Sequence, residues 1–176
     1  MLLTMKKIYN INIIMKTFII NPDNGQPVSI GEWKKEADPK RAKLLAVQID
    51  MNHLLVLKKN LSDNYYEFEE AQKLCSEFSA EILGKKRQFR CPTRKECLDL
   101  YDARFLANLD KAVTLTGGNF GKRKEAHWTC EKDANPDYAN YGWYYYGGNG
   151  CMNGNYLFNT NLALPVTLLE VSDSEL

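Results

Sequence analysis

The first 60 residues carry two pairs of short apolar runs, and a polar turn separates the members of each pair. Residues 16–39 contain a strand-like run, a PDNG turn at residues 22–25 and a second short strand, which is typical of a β-hairpin. Two further apolar runs, Leu44 to Ile49 and Leu54 to Leu57, flank another polar turn and predict a second antiparallel pair. Together they define an N-terminal hairpin region over residues 15–62.

Helical periodicity follows in the next segment. Apolar residues recur three or four positions apart, while charged residues occupy the opposite side, which predicts an amphipathic helix packed against the rest of the fold. The apolar set comprises Phe68, Ala71, Leu74, Cys75 and Phe78.

A second helix has clearer boundaries. Pro92 ends an extended segment, Thr93 is a favourable N-cap, and Glu96 completes a capping box three residues later. We therefore predict a structural role for Thr93 and Glu96, in a helix that breaks near Asn108. The predicted apolar stripe of this helix comprises Cys97, Leu98, Tyr101 and Phe105.

Beyond this helix the helical period disappears, and short strand-like runs alternate with loops. The predicted loops are residues 132–142 and 147–154. The order of the elements, with hairpins first, then two helices and then further strands, predicts an α+β fold in which the helices pack on antiparallel sheet. The predicted strand-like runs lie at Trp128, Trp143 to Tyr146, Asn155 to Phe158 and Leu162 to Val171.

Length and charge narrow the classes of function. The 176 residues suffice for one domain, with residues 63–176 forming one compact unit with the hairpin region. The formal net charge is +1 with both signs mixed, so nucleic acid is not expected as a partner. No apolar run approaches the roughly 20 residues of a membrane span.

Residues 1–14 are expected to be a non-native or flexible extension, because Met5 and Met15 are alternative starts. The apolar run is broken by Asn10 and Asn12 and lacks a small-residue cleavage site, which argues against a secretory signal. This leaves the compartment open, with the cytoplasm or a phage particle most consistent.

The five cysteines predict neither a zinc site nor a disulfide framework. They are odd in number, irregularly spaced and never in a Cys-x-x-Cys pair. Each is expected to be a small buried hydrophobic residue in a reducing compartment. The five are Cys75, Cys91, Cys97, Cys130 and Cys151.

Catalytic signatures are missing from the sequence, including the P-loop, the nucleophile elbow and the zinc-protease helix. His127 and Cys130 lie three positions apart in a strand-like segment, so they would point to opposite sides. We therefore expect no catalytic residues, no metal and no cofactor.

Residues 140–161 are uncharged and rich in tyrosine, asparagine and glycine. This mixture is familiar from antibody recognition loops, although a half-buried strand pair with glycine turns gives a similar composition. We predict that Trp143 lies in the core and that alternation turns Tyr144 and Tyr146 to the other face. Leu157 is expected to face inward.

Three segments resemble motifs of bacterial C-type lectin-like domains. FRCPTRKECLDL is similar to WRLPTRKEL, HWTCE to YWSST/E, and YGWYYYGGNG…LPV to AWYVNFSNG…VRPV. This family is related to the variable proteins of diversity-generating retroelements and, more distantly, to formylglycine-generating enzymes. The resemblance covers roughly residues 65–170 and implies a C-type lectin-like fold, with Trp128 in a structural strand position. The calcium-dependent sugar signatures Glu-Pro-Asn and Trp-Asn-Asp do not occur.

In retroelement variable proteins the diversified positions cluster near the C-terminus and favour asparagine codons. The resemblance therefore implies a non-enzymatic module that binds a protein or carbohydrate ligand, and it is compatible with a retroelement-diversified or phage-associated receptor-binding protein. A cysteine-dependent enzyme related to the formylglycine-generating group, using Cys130 or Cys151, and a structural assembly subunit are the alternatives. The ligand-binding positions implied by the resemblance are Asn140, Tyr144, Tyr146, Asn149, Asn153, Asn155, Tyr156 and Asn159.

Overall fold

The computed structural model describes residues 15–121 and 126–176, so the predicted extension over residues 1–14 lies outside the described residues. Helices and antiparallel sheets combine in an α+β architecture, as the sequence predicts. The helices are α1 (Ile30–Trp33), α2 (Phe68–Glu77), α3 (Arg94–Leu106) and α4 (Leu109–Leu115). The strands are β1 (Lys16–Ile20), β2 (Pro27–Ser29), β3 (Leu44–Gln48), β4 (His53–Lys58), β5 (Ser79–Ile82), β6 (Lys85–Gln88), β7 (Ala126–Lys132), β8 (Tyr141–Tyr146), β9 (Cys151–Tyr156) and β10 (Val166–Glu170).

A five-stranded antiparallel sheet has the order β10-β4-β3-β1-β2. The two predicted hairpins are confirmed, because β1 pairs with β2 and β3 with β4. β4 is buried on both faces: Leu55 and Leu57 join one core cluster, and Leu54 and Val56 join another. A strand covered on both sides needs no polar face, which explains its unbroken apolar run. β10 pairs along β4 and so places the end of the described chain in the same sheet as the hairpins.

Helices α3 and α4 supply Leu100, Leu109 and Val113 to the core on one face of this sheet. The predicted capping box is confirmed: Thr93 Oγ1 accepts from the N–H of Glu96, and the Glu96 carboxylate accepts from the N–H of Thr93. The predicted break is also confirmed, since Asn108 adopts a left-handed conformation with φ of 58° between the two helices. Across the part of the chain that the structure describes, none of the helices combines the length and apolar character needed to cross a bilayer.

The predicted apolar stripe of α3 is wrong in two positions. Leu98 and Phe105 are 46% and 65% exposed, whereas the buried face carries Cys97, Leu100 and Ala103. Spacing along the sequence does not distinguish the exposed apolar residues from the buried ones, because apolar residues occur on more than one side of α3. As a result, α3 presents apolar side chains to the surface.

The hairpin formed by β5 and β6 was not predicted. Lys85, Lys86 and Arg87 give β6 a charged sequence without apolar alternation, and its pairing with β5 is what defines the strand. Ile82 and Phe89 place the hairpin against the second face of the large sheet.

A separate three-stranded sheet has the order β7-β8-β9. Its last strand corrects the sequence prediction: β9 spans Cys151–Tyr156, so the second half of the predicted loop 147–154 is strand, and the predicted strand 155–158 ends at Tyr156. Asparagine and glycine have a low intrinsic propensity for β-strands, but backbone pairing with β8 offsets this low propensity in β9. Gly142 allows close packing, since a Cβ there would lie 2.6 Å from Cδ2 of Phe68.

Candidate functional site

Strand β8 divides its aromatic residues between two faces. Tyr141, Trp143 and Tyr145 point to one face, and Tyr144 and Tyr146 point to the other. The prediction that Trp143 lies in the core is wrong, because Trp143 is only half-buried, whereas Tyr145 is 2% exposed. Alternation was read correctly along the strand, but the position covered by α3 is that of Tyr145.

Trp143 lies beneath a guanidinium group. The Cζ atom of Arg94 is 4.6 Å from the centre of the Trp143 ring. Glu131 holds Arg94 in place, because its carboxylate accepts from both the backbone N–H and Nε of Arg94, each at 2.8 Å. Arg94 and Trp143 both line an open groove of about 540 Å³. The groove is lined by Arg94, Lys95, Leu98, Glu131, Trp143 and Met152.

Four aromatic rings extend from this side of the sheet, and we call them the aromatic strip: Tyr138, Tyr141, Tyr156 and Phe158. Neighbouring ring centres are 5.4 Å apart for Tyr138 and Tyr141, 4.2 Å for Tyr141 and Tyr156, and 5.2 Å for Tyr156 and Phe158. Tyr138, Tyr156 and Phe158 are 49%, 44% and 64% exposed. A contiguous group of exposed rings marks an interaction surface more often than scattered apolar residues do.

The strip is internally ordered. Interaction with the side chain of Tyr156 raises the pKa of Tyr141 to about 12. Gly154 lies opposite Trp143 on β9, and a Cβ added there would meet only Cδ1 of Tyr141, at an ordinary contact distance of 3.6 Å. The missing side chain leaves the sheet open between Trp143 and the strip.

The predicted ligand-binding residues do not form a single surface. Tyr144, Tyr146, Asn153 and Asn155 lie on the face opposite the strip. Tyr144 packs edge-on against the buried Trp128, with ring centres 6.5 Å apart, and Leu157 joins the same cluster. Trp128 therefore has the structural role predicted for it.

The other predicted residues lie in the strip or at the ends of the β8–β9 hairpin. Tyr156 belongs to the aromatic strip itself. Asn140 and Asn159 adjoin the end at which Tyr141 pairs with Tyr156, and Asn149 lies in the turn at the other end. Asn149 Oδ1 accepts from the N–H of Cys151 at 3.1 Å, which is a turn-forming contact.

Two of the asparagines have a structural explanation. Leu157 N–H donates to the Asn140 carbonyl, and this pairing repeats every second residue, so the N–H groups of Gly154 and Tyr156 point away from β8. Asn153 Oδ1 accepts from Gly154 N–H at 2.9 Å, and Asn155 Oδ1 accepts from Tyr156 N–H at 3.0 Å. The side chains thus occupy the free donors along the edge of the sheet.

Several residues of the exposed surface are not predicted from the sequence. Tyr138 and Tyr141 were placed in a loop, Phe158 in a strand without a role, and Arg94 only in the start of a helix. A usable signal was the recurrence of aromatic residues at both ends of the 140–161 segment. What joins them is the β8–β9 pairing, in which Tyr141 faces Tyr156.

His127 and Cys130 are poorly placed for nucleophilic chemistry. His127 is fully buried, and burial lowers its pKa to about 4. Burial raises the pKa of the half-buried Cys130 thiol, which disfavours the reactive thiolate. The expectation that all five cysteines are buried is wrong for Cys151, which is exposed. In residues 15–121 and 126–176, no cluster of three or more histidine, cysteine or acidic side chains is arranged to hold a metal ion.

The candidate site is therefore the aromatic strip together with Trp143 and the groove beside it. Its members come from β8, β9, the segments that flank them and the start of α3. No protein-family model matches the chain, and a search of curated proteins finds no significant match.

Proposed function

We propose that the chain is a non-enzymatic binding module of C-type lectin-like fold, which holds a protein or carbohydrate ligand against the aromatic strip and Trp143. The observation that carries this proposal is the cluster of four neighbouring rings, three of them exposed, in a stretch of sequence without charge. Aromatic side chains offer large contact area at a low cost in conformational entropy. They therefore suit recognition of a ligand with apolar faces.

The groove next to the strip adds polar contacts. Arg94 stacks on Trp143 and is fixed by Glu131, while Lys95 is exposed at the rim. A ligand on Trp143 would thus find an apolar floor with a few hydrogen-bonding groups beside it, a combination common in binding sites. The polar groups would set orientation, and the rings would supply most of the contact area.

The composition of residues 140–161 supports a more specific version of this proposal. In that version, the protein is a retroelement-diversified or phage-associated receptor-binding protein, and the exposed side chains vary between copies of the gene. A near-copy of the DNA encoding residues 138–166, next to a reverse-transcriptase gene and differing only at adenines, would support it. Differences spread over all four bases would contradict it.

A structural assembly subunit is the second candidate, since a permanent interface could also cover the exposed rings. Sedimentation velocity at two protein concentrations distinguishes the two. A stable oligomer in which Tyr156 and Phe158 become protected favours the assembly role, and a monomer favours the binding module. For the cysteine-dependent enzyme, the raised pKa of Cys130 argues against that residue as the nucleophile.

Binding can be tested on an array of neutral oligosaccharides and with a displayed peptide library. For any ligand found, the double substitution Tyr156→Ala and Phe158→Ala should weaken binding at least about tenfold. Gly154→Gln should also weaken it, because the new side chain projects between Trp143 and the strip without a backbone clash. Leu168→Ala is the matched control, since Leu168 is 41% exposed but lies in the other sheet.

Circular dichroism and thermal unfolding of each variant show whether it has folded. Unchanged affinity in both the double variant and the Gly154 variant would place the ligand elsewhere and overturn the proposed site. An equal loss in the Leu168 control would show that the effect is not specific to the strip.

A further inference from the structure

Two of the five cysteines meet in the core. Cys91 Sγ lies 3.3 Å from Cys75 Sγ, and both residues are fully buried. Cys75 is in the last turns of α2, and Cys91 directly precedes the Pro92–Thr93 start of α3. The pair therefore joins the segments on either side of the β5–β6 hairpin.

The surroundings of the two thiols are apolar and closely packed. Cys75 and Cys91 share a core cluster with Phe68, Ala71 and Trp128. Cys91 Sγ also lies 3.5 Å from the carbonyl oxygen of Ala71, one turn before Cys75 in α2. Two sulfur atoms at 3.3 Å need to approach by only about 1 Å to reach the length of a disulfide bond, a shift that side-chain rotation can supply.

We propose that Cys75 and Cys91 form an intramolecular disulfide when the chain folds in an oxidising environment. Each thiol loses one proton and one electron, and a sulfur–sulfur bond forms between them. The electron acceptor is a small-molecule disulfide such as oxidised glutathione, which is reduced to two thiols. The proposal is independent of the ligand-binding function.

Burial decides when the bond can form. The hydrogen bond to Cys75 and burial both raise the pKa of the Cys91 thiol, so the folded, reduced pair seldom presents the thiolate that attacks a disulfide. The bond is therefore made while the chain is still folding. Once closed, it is protected from reducing agents by the same packing.

The other thiols provide internal controls. Cys130 lies near the pair, since its N–H donates to the carbonyl of Pro92 at 2.8 Å, and it is the alternative partner for Cys91. Cys97 is buried in α3, and Cys151 is exposed at the start of β9. A cross-link specific to residues 75 and 91 can thus be distinguished from general oxidation.

The full chain should be unfolded with reductant and refolded either in dithiothreitol or in a mixture of reduced and oxidised glutathione. Alkylation in denaturant, digestion and mass spectrometry then identify the paired cysteines. The glutathione sample should contain a peptide linked through residues 75 and 91, with Cys97, Cys130 and Cys151 alkylated. Its Tm should exceed that of the dithiothreitol sample by about 5–10 °C, since a disulfide that closes a loop of this size restricts the unfolded chain.

Cys75→Ala should remove both the linked peptide and the difference in Tm, whereas Cys130→Ala should retain both. If Cys75→Ala does not fold, the peptide map of the unmodified chain and of Cys130→Ala still decides the matter. Five alkylated cysteines in the glutathione sample, or a peptide linked through residues 91 and 130, would overturn the proposal.

Discussion

Arg90 and Glu96 form a two-point ion pair in which Nη1 and Nη2 of the arginine each donate to one carboxylate oxygen at 2.7 Å. The Arg90 backbone also exchanges hydrogen bonds with Val166, next to the large sheet. Glu96 belongs to the capping box of α3. The pair therefore links the start of α3 to the sheet on which it packs.

Substituting Glu96→Gln should destabilise the protein by about 2 kcal/mol. Burial alone would raise the pKa of Glu96, but the hydrogen bonds from Arg90 and Thr93 lower it, so the carboxylate is bound as an anion. Glutamine keeps the volume but leaves Arg90 without a counter-charge. The cost falls below the 3–5 kcal/mol of a fully buried pair, because the Arg90 side chain is 41% exposed.

Urea unfolding followed by circular dichroism measures this change. Glu77→Gln is the control, since its pairing with Lys73 is long, at 3.8 Å, and both side chains are exposed. That control should lose less than about 0.5 kcal/mol. Equal losses of unfolding free energy in the two variants would show that the Arg90–Glu96 pair stabilises the fold no more than an exposed ion pair does.

The sequence predicts the contacts between neighbouring residues in this arrangement, but it does not predict the contact between residues far apart in the chain. A capping box involves residues three apart, so Thr93 and Glu96 could be recognised from spacing alone. The role of Arg90 depends on the bridge to Val166, far along the chain, and no local pattern predicts that contact.

The same contrast between local patterns and contacts distant in sequence explains why the sequence predicts the candidate site only in part. Alternation along β8 predicts two faces, but it does not predict which position on a face a helix will cover. Tyr145 is buried because Tyr101 of α3 lies against it, with ring centres 6.3 Å apart. The predicted binding residues were therefore divided between the faces, and the strip became visible only with the pairing of Tyr141 and Tyr156.

The unfolding free energy should fall between pH 7 and pH 4 because of His127. The folded-state pKa of this residue is about 4, below the ordinary value of 6.5 in the unfolded chain. Between those values the unfolded state takes up a proton that the folded state does not, so lowering the pH favours unfolding. The difference corresponds to at most about 3 kcal/mol.

Urea unfolding at several pH values tests this, with His127→Gln as the informative variant. The substitution costs stability at every pH, but it should flatten the slope between pH 6.5 and pH 4. His53→Gln is the comparison variant, since His53 is partly exposed at the surface. An unchanged slope in His127→Gln would show that other groups cause the pH dependence.

The double substitution Asn153→Ala and Asn155→Ala should make the protein self-associate. β9 is an edge strand without proline or charge, two of the features that usually prevent edge strands from pairing between molecules. Its outward N–H groups at Gly154 and Tyr156 are instead occupied by the two asparagine oxygens. Alanine frees these donors for a second copy of β9, so sedimentation velocity should show a concentration-dependent increase in mass.

Asn140→Ala is the matched control, because Asn140 contributes a backbone oxygen to the ladder and should not change the mass. Circular dichroism of the double variant must show a folded protein, since unfolding would also produce aggregates. A folded double variant whose mass stays constant up to high concentration would mean that the edge is protected in another way. Self-association would instead show that the two asparagine side chains prevent β9 from pairing with a second molecule. Part of the asparagine bias of residues 140–161 would then be structural.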